Sequence, residues 1–129
     1  MSAVILLIED NPQNRYLACF LLEQRGHTVV QAGTGPEGLA LAASANPALI
    51  LLDIQLPGMD GYAVARALRA DPVLAAIPIV AVTSYAMVGD REKCLAAGAT
   101  GYLEKPINPE TFVADVERFL QMKPKAAGS

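Results

Sequence analysis

Five short apolar runs punctuate the chain: residues 3–8 (AVILLI), 28–32 (TVVQA), 48–53 (ALILLD), 77–83 (IPIVAVT) and 100–104 (TGYLE). The first, third and fourth are almost continuously apolar, the pattern of strands covered on both faces and hence of a parallel sheet. Stretches of helical character separate them. Asn11-Pro12 opens the first, with Pro12 where a missing N–H does no harm; Leu17, Phe20, Leu21 and Glu23 follow, and Gly26 ends it. Thr34 caps the second, Leu39, Ala42 and Ala43 make its buried face, and Asn46-Pro47 stops it. Asp60-Gly61 starts the third, with Val64 and Leu68 inward and Asp71-Pro72 near its end. The fourth covers about residues 87–97 and stops at Gly98. Asn108-Pro109 opens the fifth, where Phe112, Val113, Val116, Phe119 and Leu120 form a stripe at helical spacing.

Strand–helix alternation of this kind predicts a doubly wound α/β domain: a five-stranded parallel sheet in the order 2-1-3-4-5, with right-handed crossovers. Its switch point lies between the first and third strands, and ligands of such sheets bind beyond the carboxyl ends there. The residues that close the runs bear on this. Glu9 and Asp10 follow the first, Asp53 ends the third, and Lys105 follows the last. In a parallel sheet these ends share one edge, so three carboxylates crowd beside one ammonium. Like charges so close resist joint ionisation. A divalent cation would resolve the conflict, and could hold a phosphoryl group next to Asp53.

Composition narrows the picture. A chain of 129 residues, 53% of them apolar, fits one domain with one well-buried core, here residues 1–122 followed by a short disordered tail, 123–129. A net charge of −3 argues against direct nucleic-acid binding. Cys19 and Cys94 form neither a CxxC pair nor a metal spacing and read as reduced small hydrophobes of a cytoplasmic protein. His27, the single histidine, reads as a surface residue ahead of a strand rather than a ligand. No apolar stretch reaches the roughly 18 residues of a membrane span. The N-terminus lacks the basic region of a signal peptide.

Four motifs stand in order: IEDN at 8–11, LLDIQLPGMDG at 51–61, VTSYAM at 82–87 and EKPI at 104–107. With them, essentially the whole chain resembles a response-regulator receiver domain of two-component signalling, which implies a flavodoxin-like (βα)5 fold. It is also similar to stand-alone receivers that control cell-cycle progression and polarity in bacteria.

The resemblance implies a mechanism. Asp53 would accept a phosphoryl group from a phosphohistidine of a sensor histidine kinase or histidine phosphotransfer protein, forming an acyl phosphate. Mg²⁺, with Mn²⁺ as a substitute, would be held by Glu9, Asp10, Asp53 and the backbone carbonyl of Gln55. Glu9 stands where many relatives have Asp, and its longer side chain could reach the ion through water. Lys105 would supply a cation to the phosphoryl oxygens, and Lys105–Pro106 would be cis. Thr83 would hydrogen-bond the phosphoryl group, the small Ser84 would let its backbone N–H approach, and Tyr102 would turn inward as Thr83 moves. Gln55 and Tyr85 would govern how water reaches the acyl phosphate. Such a receiver catalyses its own phosphorylation and dephosphorylation and turns over no external substrate.

About eight residues follow the last predicted helix, too few for a DNA-binding output domain. The protein is therefore expected to act by contact with partners, or as a phosphate shuttle or sink; the partner surface is the face of the fourth helix, fifth strand and fifth helix, where Tyr85, Met87, Val88 and Tyr102 offer contacts. The expected state is a monomer or weak dimer without membrane insertion. Three other readings fit less well. An aspartyl phosphohydrolase would want a second acid where Gln55 stands. A binding-only pseudo-receiver would not need the acid set and Lys105. A nucleotide binder would want a glycine-rich loop where EDNPQN follows the first strand.

Overall fold

The computed structural model describes residues 2–56, 58–84 and 89–121. Elements alternate along the chain: β1 (Val4–Ile8), α1 (Pro12–Gln24), β2 (Thr28–Ala32), α2 (Gly35–Ala45), β3 (Leu49–Asp53), α3 (Gly61–Ala70), β4 (Ile79–Thr83), α4 (Asp90–Ala96), β5 (Gly101–Glu104) and α5 (Phe112–Gln121). The strands form one parallel sheet in the order β2-β1-β3-β4-β5, as the alternation predicts.

Each central strand feeds two cores because its side chains alternate across the sheet. Leu6, Ile8, Ile50, Leu52, Ile79 and Ala81 pack with Ala42, Val64, Leu68 and Cys94 of α2, α3 and α4. Ile5, Leu7, Leu49, Leu51, Val80 and Val82 face the other way, onto Ala18, Cys19 and Leu22 of α1 and Phe112, Val116 and Phe119 of α5. Every residue of β3 and β4 is buried, which explains why their runs are apolar without alternation. Both cysteines are free and buried.

The helix ends follow from local chemistry. Asn11 Oδ1 accepts the N–H groups of Gln13 and Asn14 at the start of α1. Thr34 and Asp60 cap α2 and α3 in the same way. Asn46 ends α2 in the left-handed region at φ 48°, and Gly98 follows α4 at φ 112°.

Several details differ from the pattern-based expectation. Ala43 is exposed; α2 instead turns Gly35, Gly38 and Ala42 inward, and a Cβ on Gly38 would run into the Ile8 side chain. On α1 the buried positions are Ala18, Cys19 and Leu22, while Phe20 is exposed and stacks on Tyr16. Asn108-Pro109 does not begin α5. The Asn108 carbonyl accepts the N–H groups of both Thr111 and Phe112 and its side chain accepts that of Glu110, so a tight turn precedes a helix starting at Phe112. The start expected for the fourth helix, at 87, lies outside the described residues, as do Pro57, Tyr85, Met87, Val88 and the tail.

His27 is the clearest correction. It is buried, not a surface residue. Nδ1 accepts the Ala3 N–H at 3.1 Å, which leaves Nε2 to carry the proton and donate it to Glu117 Oε2 at 2.9 Å. Arg25 pairs with the same carboxylate at 3.0 Å.

Candidate functional site

The parallel register delivers the run-closing residues to one edge. Ile8 is level with Leu52, Asp53 with Val82, and Thr83 with Glu104. Glu9, Asp53, Thr83 and Lys105 therefore emerge side by side at the carboxyl ends of β1, β3, β4 and β5. Backbone hydrogen bonds prolong the ladder past the strands: Glu9 N–H donates to Ala32 O, Ile54 N–H to Val82 O and Lys105 N–H to Thr83 O. These bonds hold the backbone at the site, so the polar side chains stand on rigid strand ends rather than loop tips.

Glu9, Asp53 and Thr83 are buried, whereas Asp10 is exposed. The Lys105 ammonium lies 3.1 Å from Glu9 Oε1 and 3.1 Å from Asp53 Oδ1. The Asn11 N–H donates to Glu9 Oε2 at 3.2 Å, and the Gln55 N–H donates to Asp53 Oδ1 at 2.9 Å. Carboxylate oxygens of Glu9, Asp10 and Asp53 fall within 4.8 Å of one another. Gly61, the first residue of α3, packs directly on the backbone beyond β3, where a Cβ would run into Ile54. The absence of a side chain there lets α3 close against the strand that carries Asp53.

Charge is unevenly compensated here. Burial pushes the Glu9 carboxyl up to about 7, and a hydrogen bond and like charge from Asp53 add to it; the Asn11 N–H and Lys105 pull the other way without prevailing. For Lys105, burial opposes the charged form, but Asp53 and Glu9 outweigh it and raise the ammonium above its ordinary value. One lysine thus serves two carboxylates, with a third acid at the rim. That donor set, three hard carboxylate oxygens facing a common space, fits a small divalent cation such as Mg²⁺ and offers no soft ligand for a thiophilic metal.

Other predicted positions fall among the described residues beside this cluster or on β5. The Lys105–Pro106 peptide is cis. Ser84 is exposed at the rim, and both its Oγ and its N–H donate to Gln55 Oε1. Tyr102 lies on β5, half-buried against the core under α4, with the Arg91 guanidinium 5.9 Å from its ring centre. It is not in the acid cluster; β5 carries it two strands away from Asp53, with β4 between them. Two polar arrangements escaped the sequence reading, the His27–Glu117 pair and an Arg69 clamp. Arg69 Nε donates to Gly98 O at 2.7 Å and Nη1 to Ala75 O and Ile77 O, while Nη2 reaches Thr100 Oγ1 at 3.2 Å. Neither arrangement has a sequence signal, because each joins residues from different strand–helix units.

A five-stranded parallel sheet with buried acids at its switch point and a lysine from the last strand defines a class, and the sequence matches it: residues 5–117 match the response regulator receiver domain, and the chain belongs to that family. Among curated proteins it is similar to the polar-differentiation response regulator DivK of Brucella ovis, 38% identical over 120 residues that cover 93% of this chain and 98% of that one. Among solved structures it resembles a chemotaxis response regulator of Vibrio cholerae, with TM-score 0.87 and 31% identity over 92% of this chain and 99% of that one. It also resembles the receiver domain of a sensor histidine kinase from Pseudomonas aeruginosa, whose structure has a magnesium ion coordinated in the active-site cleft; the TM-score is 0.81 at 37% identity, covering 94% of this chain and 96% of that domain. The fold is accordingly the flavodoxin-like one of CheY-type receivers, and the chain is a two-component signalling receiver. No helix among the described residues is long and apolar enough to cross a membrane.

Proposed function

We propose that Asp53 accepts a phosphoryl group from a phosphohistidine of a sensor histidine kinase or histidine phosphotransfer protein, in a Mg²⁺-dependent reaction. The observation that carries this reading is the Lys105 ammonium shared at 3.1 Å between two buried carboxylates, with a third acid within reach. An Asp53 oxygen attacks phosphorus in line; the P–N bond breaks, and its electron pair leaves with the imidazole of the donor. Glu9, Asp10, Asp53 and the Gln55 carbonyl would hold the cation. When bound, it neutralises negative charge on the transferring phosphoryl group. Lys105 orients Asp53 beforehand and then follows the phosphoryl oxygens. Thr83, at the end of β4, and Ser84 next to it supply hydrogen bonds to those oxygens. This draws the β4–α4 connection inward and lets Tyr102 turn. The α4–β5–α5 face then changes its affinity for a protein partner, a population shift driven by a local charge.

Intact mass spectra after incubation with acetyl phosphate test the reading. One added phosphoryl group is expected with Mg²⁺, none with EDTA and none in Asp53→Asn. Full labelling of Asp53→Asn would overturn the assignment of Asp53.

A further inference from the structure

Gln55, just past β3, and Ser84, just past β4, are joined through the Gln55 side chain. Gln55 Oε1 accepts from Ser84 Oγ at 2.6 Å and from the Ser84 N–H at 3.2 Å. The backbone of the same residue donates to Asp53 Oδ1 at 2.9 Å. Gln55 therefore touches the proposed acceptor with its main chain while its side chain captures both donors of the residue after Thr83. A carboxamide oxygen carrying two convergent donors occupies the role of an anion's oxygen.

We infer that Gln55 is a positioning residue acting as a latch: its side-chain carbonyl holds the Ser84 donors and must release them before Ser84 can serve a phosphoryl group on Asp53. The inference rests on the reading of Asp53 as the phospho-acceptor. Its logic is one of donor capacity. The Ser84 N–H and O–H have one proton each, so each can serve one strong acceptor. A charged phosphoryl oxygen is a stronger acceptor than a neutral amide carbonyl, so the exchange runs toward the phosphoryl group once it is present. Without it, the latch ties the β4–α4 connection to the β3–α3 connection. Ser84 is exposed, so water competes for the same donors and keeps the latch weak enough to open. Phosphorylation then does two things to the loop after Thr83: it offers a new acceptor, and it displaces an old one.

Gln55→Met tests this, because it keeps the approximate length of the side chain and removes the acceptor. The first readout is the Ser84 backbone amide of the metal-free protein by NMR. An upfield shift and faster hydrogen exchange relative to wild type are expected, and an unmoved Ser84 amide would overturn the latch. The second is titration with beryllofluoride and Mg²⁺, a phosphoryl mimic. Gln55→Met should bind it about two- to tenfold more tightly, the equivalent of one modest hydrogen bond no longer broken. Equal or weaker binding would overturn the latch as a competitor. Wild type and Asp53→Asn run alongside: absence of wild-type binding, or undiminished binding in Asp53→Asn, would overturn the acceptor reading instead, so the two failures look different.

Discussion

Two glutamates mark the difference between the two ends of this sheet. Near the start of β2, Glu117 receives Arg25 and His27, which together hold its carboxyl below the usual carboxylate range. Past the end of β1, Glu9 shares one lysine with Asp53, and burial and the neighbouring acid push it up to about 7. The same side chain is a satisfied anion in one place and a reluctant one in the other. Polar groups at the first end are matched acceptor for donor, as a structural network should be. At the second end negative charge exceeds what the protein compensates. An imbalance held on rigid strand ends is what the proposed divalent cation would offset.

The contrast can be broken by substitution. The largest effect is expected from Lys105→Ala, which removes the ammonium facing Glu9 and Asp53. Some phosphorylation should persist, detectable by mass, but the chemical shifts of the phosphorylated wild type should not develop. Their full appearance in that variant would remove Lys105 from the switch.

Glu9→Gln comes next. The folded-state value of Glu9 lies above its unfolded value, so the native state binds the extra proton. The favourable contribution of this group is therefore complete below about 4.5 and is lost as pH rises through about 7. At pH 8 and without Mg²⁺, the glutamine variant should be more stable than wild type, on the order of 1–3 kcal/mol by urea denaturation, with the gap closing near pH 4. A destabilised variant at pH 8 would mean that Lys105 already satisfies Glu9.

The matched end should respond in the opposite sense. Arg69 is partly buried and its guanidinium ties the α3–β4 connection to the α4–β5 connection. Arg69→Ala should cost about 1–2 kcal/mol at any pH from 5 to 8, as several carbonyls lose a charged donor. The smallest effect is expected for Glu117→Gln. A depressed carboxyl stabilises above its unfolded value and loses that contribution as pH falls through its folded one. The variant should thus have a lower urea midpoint than wild type at pH 7, less so in high salt, and the two should converge in acid. A pH-independent difference would assign the pair a packing role only.

How far these ends could be read from the chain differs for the same reason. The acid cluster was legible because a parallel sheet brings every strand's carboxyl end to one edge, so each of Glu9, Asp53 and Lys105 declares itself by closing an apolar run. Register, not tertiary detail, assembles them. His27 gave no such signal: its partner is on α5, and a lone polar residue ahead of a strand looks exposed. Arg69 reads as an ordinary helix-surface arginine until the α4–β5 connection folds over it. Ala43 is apolar to a periodicity count, but close packing of Gly38 on Ile8 and of Gly35 on Val64 turns the other side of α2 inward. The Gln55–Ser84 contact depends on how two loops approach each other, which no single-chain pattern specifies.

In the proposed function, a divalent cation offsets the negative charge at the carboxyl end of the sheet. A Mg²⁺ titration of ¹⁵N-labelled wild type and Asp10→Asn addresses it most directly. Saturable shifts at the Glu9, Asp10 and Asp53 amides, accompanied by a rise in Tm and weakened in Asp10→Asn, are predicted. Unmoved amides and an unchanged Tm at saturating Mg²⁺ would show that Lys105 alone balances the acids and that no cation is taken up there.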